Sequence, residues 1–69
     1  MNLGVSFKSA LFLRDMTQQD LATEMGVSRQ YVSMLAAGKK PLTLEKLAGI
    51  CAILNLEMSH FISLGEDYH

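Results

Sequence analysis

Apolar residues return at intervals of three and four along nearly the whole chain, the period of helices that each bury one face. Leu3, Phe7, Ala10 and Leu11 form the first such stripe and predict a helix within Met1 to Met16. Phe12 and Leu13 fall outside it; they are read as widening the core contact, with contact to a partner as the other option. Leu21, Ala22 and Met25 mark a second helix, and Val32 with Leu35 a third. Leu44, Leu47, Ala48, Cys51 and Leu54 give a fourth inward face, with Ile50 at its margin and Ile53 outward. Leu56 and Met58 lead into a short fifth helix carrying Phe61, Ile62 and Leu64. The pattern predicts an all-α, five-helix domain over residues 1–64, followed by a short polar tail, residues 65–69.

The punctuation between these stripes sharpens the picture. Thr17 suits an N-cap, its hydroxyl accepting a backbone N–H that the opening turn leaves unpaired. Asp20 follows at the capping-box position, although Asp is shorter than the usual Glu. Gly26 stops the second helix, where a left-handed residue is needed, and Ser28 caps the third only two residues later. Two short helices joined by a tight Gly-containing turn cross steeply, the geometry of a helix-turn-helix. Gly38 ends the third helix in a Gly-Lys-Lys-Pro turn, and Pro41 keeps Lys40 extended. Thr43 caps the fourth helix, with Lys46 at its third position, and Asn55 is placed in the left-handed position after it.

On the third helix Arg29, Gln30, Tyr31, Ser33 and Met34 point away from the Val32/Leu35 face. Arg, Gln and Ser offer donors and acceptors that match base edges in the DNA major groove; an ordinary solvated face would be richer in Lys and Glu. The stretch from Met16 to Ile62 resembles the lambda-repressor-like (Cro/CI or XRE-type) family of bacterial and phage DNA-binding domains, and the resemblance extends from about Leu3 to about Leu64. It rests on Thr-Gln opening the second helix, Leu-Ala within it, Gly-Val-Ser at the turn, and Gly-Lys-Lys after the third helix. The resemblance implies a five-helix bundle that binds double-stranded DNA as a homodimer, with the third helix in the major groove.

Carried over position by position, it implies base reading by Arg29 and Gln30 in the first turn; one turn on, Ser33 is read as contacting a base or a phosphate, and Met34 as contacting a thymine methyl. It implies a phosphate contact from Gln18; Ser28 is read as another, and the two lysines Lys39 and Lys40, on a turn beside the third helix, are read as phosphate anchors, with a merely solvated basic turn as the competing reading. Tyr31 is read either as a phosphate contact or as a partly buried structural residue. The dimer contact falls on the region of Ile53, Met58, Phe61 and Ile62, with satellite core as the competing reading. Two departures stand out. Ala37 replaces an Asn that often makes a backbone contact, which puts that contact in doubt. Leu11 and Ala36 replace a buried Arg and its Glu partner. Apolar replacement of both members avoids a stranded charge, so it is compatible with the fold and predicts that the two positions approach each other.

Charge distribution refines this reading. The net charge of the 69 residues is −1, which argues weakly against nucleic acid. Residues 29–46, however, carry a net +3, and residues from Glu57 onward a net −3, so one side suits phosphate and the other does not. A single cysteine, Cys51, excludes an intramolecular disulfide and fits a reducing cytoplasm; it is read as small core packing. The reading places the protein in the cytoplasm, on the nucleoid. No apolar run approaches a membrane span of about 20 residues. His60, His69 and Cys51 make no metal-ligand spacing, and no nucleophile has a base beside it. No enzyme activity, cofactor, metal or small-molecule ligand is expected. The sequence therefore points to a small DNA-binding regulator, a repressor of the phage Cro or restriction-modification controller kind that binds an inverted-repeat operator. The alternative is an antitoxin or adaptor that chiefly binds a partner protein, and contact with RNA polymerase or a toxin stays open.

Overall fold

The computed structural model describes residues 3–66. Its helices are α1 (Leu3–Leu13), α2 (Gln18–Met25), α3 (Arg29–Ala36), α4 (Leu44–Leu54) and α5 (Met58–Glu66), with no strand among the described residues. The start signals in the sequence act as expected. Thr17 Oγ1 accepts the Asp20 N–H at 3.0 Å, and Asp20 Oδ2 accepts the Thr17 N–H at 2.9 Å, so the shorter acid completes the capping box. Ser28 Oγ accepts the Tyr31 N–H at 3.1 Å, and Thr43 Oγ1 accepts the Lys46 N–H at 3.2 Å.

The first four helices stop by one device. After each, a residue turns into the left-handed region, and its own N–H and the next N–H return to carbonyls of the last turn, the Schellman pattern. Gly26 (φ 73°) and Gly38 (φ 77°) adopt this conformation without a Cβ penalty. Asn55 (φ 55°) and Asp15 (φ 53°) adopt it as polar residues that tolerate it. The longer closing bonds are Val27 N–H to Ala22 O at 3.0 Å, Lys39 N–H to Met34 O at 2.8 Å, Leu56 N–H to Cys51 O at 2.9 Å and Met16 N–H to Leu11 O at 2.9 Å. Asp15 is why α1 stops at Leu13 rather than continuing to Met16.

The core joins all five helices: Phe7, Ala10 and Leu11 of α1, Leu21 and Ala22 of α2, Val32 and Leu35 of α3, Leu47, Ile50, Cys51 and Leu54 of α4, and Phe61 of α5. After a 94° bend from α4, α5 packs along α1. There the Phe7 and Phe61 rings meet edge to face, with centroids 5.3 Å apart and planes at 89°. Leu11 is buried, and Ala36 packs half-buried against the same core cluster.

Several expectations are corrected. Ile50 is fully buried rather than marginal, whereas Ala48 is exposed and Leu44 is 75% exposed. Leu47, Ile50, Cys51 and Leu54 are spaced three and four apart. At 3.6 residues per turn Ala48 lies about 110° away from that stripe, and Leu44, the first residue of α4, is left at its exposed start. Phe12 (86% exposed) and Leu13 (52%) do not widen the core. Gly65 and Glu66 are not tail: α5 runs through them, and Gly65 is buried. Residues 67–69 of the expected tail, like Met1 and Asn2 of the expected first helix, lie outside the described residues.

Candidate nucleic-acid interface

The capped turn between α2 and α3 holds these helices against each other, and Val32 and Leu35 anchor α3 in the core. This fixes which side of α3 faces out. Arg29, Gln30 and Ser33 are exposed, while Met34 and Tyr31 are half-buried. No carboxylate lies on α3, so this surface offers amide, guanidinium and hydroxyl groups without a competing anion on the same helix. Arg29 and Gln30 stand in its first turn, at the end nearest the turn from α2. Ser28 is occupied as a hydrogen-bond acceptor by its capping role, but its hydroxyl proton remains available to donate.

Around this helix lie the other candidates. Gln18 opens α2 and is half-buried, and Lys39 and Lys40 are exposed on the turn after Gly38. The structure answers part of the question left open for Tyr31. Its ring packs against the core cluster, and the Lys46 ammonium sits 5.2 Å from its centroid, within cation–π range. Tyr31 is thus partly structural, and Lys46 of α4 reaches over its ring on α3.

The proposed dimer residues divide. Ile53, Met58 and Ile62 are half-buried and pack against the core. Phe61 is fully buried against Phe7, so it is a core residue and has no surface to offer a partner copy. Cys51 is buried, and desolvation raises its thiol pKa above the ordinary value, which keeps it in the poorly nucleophilic neutral form. Core packing is the role the structure supports for it. Among the described residues, no group of three or more His, Cys, Asp or Glu side chains is placed to hold a metal ion. No single described helix is long and apolar enough to cross a membrane.

One organising residue escaped the sequence reading altogether. Arg14 donates from Nε to Leu54 O at 2.7 Å and from Nη2 to Asn55 O at 3.1 Å, tying the end of α1 to carbonyls that α4 leaves unpaired. Nothing in the local sequence marks it, because its partners lie about forty residues on.

Two short helices, each capped at its start and joined through a left-handed glycine, with a polar outward face on the second, define a helix-turn-helix domain. A profile of the helix-turn-helix family, of the XRE or lambda-repressor-like type, matches residues 9–61, and the chain belongs to that family. It is a DNA-binding helix-turn-helix protein of the transcription-regulating kind. No curated protein matches the chain.

Proposed function

We propose that the protein is a cytoplasmic, nucleoid-bound transcriptional repressor that binds an inverted-repeat operator as a homodimer, with α3 in the major groove. The observation that carries this reading is the exposed row Arg29, Gln30 and Ser33 on a helix free of carboxylates. In that setting Arg29 pairs with guanine, Gln30 pairs with adenine, Ser33 bonds a base edge or a phosphate, and Met34 contacts a thymine methyl. Gln18, Ser28, Lys39 and Lys40 hold backbone phosphates and set the register, with the Tyr31 hydroxyl as a further phosphate donor. Ile53, Met58 and Ile62 keep partial exposure on the α4–α5 side and supply the contact between copies.

Selection of bound duplexes from a random DNA pool at near-physiological salt tests the proposal. Enrichment of an inverted repeat, with half-site centres about 10 bp or a multiple of that apart, is the expected result. A single enriched half-site would remove the homodimer. No enrichment by folded protein would overturn sequence-specific regulation and favour a partner-binding role.

A further inference from the structure

A groove of about 420 Å³ opens between α1 and α3 at the start of α2. Gly4, Val5, Ala36 and Ala37 supply its apolar lining, and Lys8, Gln18 and Ser33 are the polar groups that line it. Gln18 and Ser33 are residues proposed above to touch DNA, so the groove is continuous with that face. Lys8 belongs to no part of that proposal. It is exposed on α1, and it is the single charged residue of the lining. A recess lined by small apolar residues, two neutral hydrogen-bonding groups and one cation complements a sugar–phosphate unit, the deoxyribose matching the apolar residues and the phosphodiester the polar ones.

We infer that Lys8 is a further DNA-anchoring residue, its ammonium binding a backbone phosphate seated in the groove between α1 and α3 beside Gln18. The inference rests on α3 entering the major groove, which brings the backbone at the groove's edge alongside α1. Lys8 then adds a phosphate contact from α1 to those proposed for Gln18 and for the turn after α3. Because the contact is to phosphate, it strengthens binding to every sequence alike and adds to the salt dependence without altering base preference.

The test compares the whole chain with Lys8→Gln and Lys8→Arg by fluorescence anisotropy, using a short mixed-sequence duplex across a salt series. Lys8→Gln is expected to weaken binding several-fold at low salt and to reduce the slope of log K against log salt by about 0.9. Lys8→Arg is expected to keep both. Thermal melting of the variants should match the parent, because Lys8 is exposed. A second readout is local: the Ala36 methyl resonance should shift when duplex is added to the parent protein. If the parent binds DNA with unchanged affinity and slope in Lys8→Gln, or if the Ala36 methyl stays unmoved in a bound complex, the inference is overturned and the regulator reading stands. If the parent itself shows no salt-dependent binding, the regulator reading fails first and takes the inference with it.

Discussion

Phe7 and Phe12 lie on the same helix, five residues apart in number, and meet opposite fates. Phe7 is fully buried against Phe61, while Phe12 is 86% exposed beside the half-exposed Leu13. The α2–α3 unit shows the reverse contrast. There the apolar residues are inside or half-buried, and the outward side chains are polar. The same helical period generates both surfaces. The difference lies in what the outward positions carry: polar hydrogen-bonding groups on α3, apolar side chains at the end of α1. On α3 the side chains proposed to read DNA sit opposite the two that hold the helix in place, Val32 and Leu35. Binding and stability are therefore separable there by mutation.

The largest effect should come from breaking the buried side of the contrast. Phe7→Ala is expected to cost about 3–5 kcal/mol of folding stability, because it removes an aromatic ring from a packed contact. Phe12→Ala should stay within about 0.5 kcal/mol. Urea unfolding of the two variants side by side makes the comparison, and equal losses would mean that the Phe12 surface is packed in solution. Next, Gln30→Ala should reduce discrimination at one position of each half-site by about 1–3 kcal/mol. Lys39→Ala should weaken binding on all duplexes and lower the salt slope by about 1. Neither should shift the melting temperature, since both residues are exposed. Uniform losses on every sequence from both variants would defeat the division between reading and anchoring.

Arg14→Ala is expected to cost about 1–2 kcal/mol in denaturant titrations, through the charged hydrogen bonds to Leu54 O and Asn55 O. A stability unchanged in that variant would show the clamp to be dispensable. Lys46→Met removes only the ammonium over Tyr31 and should cost about 0.5–1 kcal/mol. In the parent protein the stack should show as an upfield ring-current shift on the Lys46 ε protons, which Tyr31→Leu should abolish; ordinary chemical shifts in the parent would dismiss the stacking.

Where structure follows from neighbours in sequence, the chain was readable. Thr17 and Asp20, Ser28, Gly26, Gly38 and Asn55 act within a turn of themselves, and each takes its expected place. Asp15 was missed because Asp tolerates the left-handed region without demanding it, so its presence is a weak stop signal. Where the outcome depends on distant packing, the reading faltered. Ile50 and Ala48 traded places because several apolar stripes can be drawn through a helix as apolar as α4, and only its contacts choose among them. Phe61 falls in sequence among the candidates for the dimer contact, with satellite core as the competing reading, because its partner, Phe7, lies at the other end of the chain. Ser6, a fully buried hydroxyl on α1, gives no sign in sequence of being core. The candidate site was legible for a related reason. Its base-reading candidates stand on one short helix whose inward face is fixed by Val32 and Leu35, so the exposure of Arg29, Gln30 and Ser33 follows by subtraction, whereas Tyr31 and Met34 end half-buried. Arg14, Lys8 and the Lys46–Tyr31 pair were not legible, since each depends on elements brought together only by the fold.

The proposed function requires that the polar face of α3, and not the apolar end of α1, meets DNA. Titrating isotope-labelled protein with duplex and following its NMR resonances tests this directly. The account predicts shifts at the Arg29 Nε–H, the Gln30 side-chain amide and the Ser33 backbone, with Phe12 and Leu13 unmoved. Shifts confined to Phe12 and Leu13, with α3 unchanged, would contradict it.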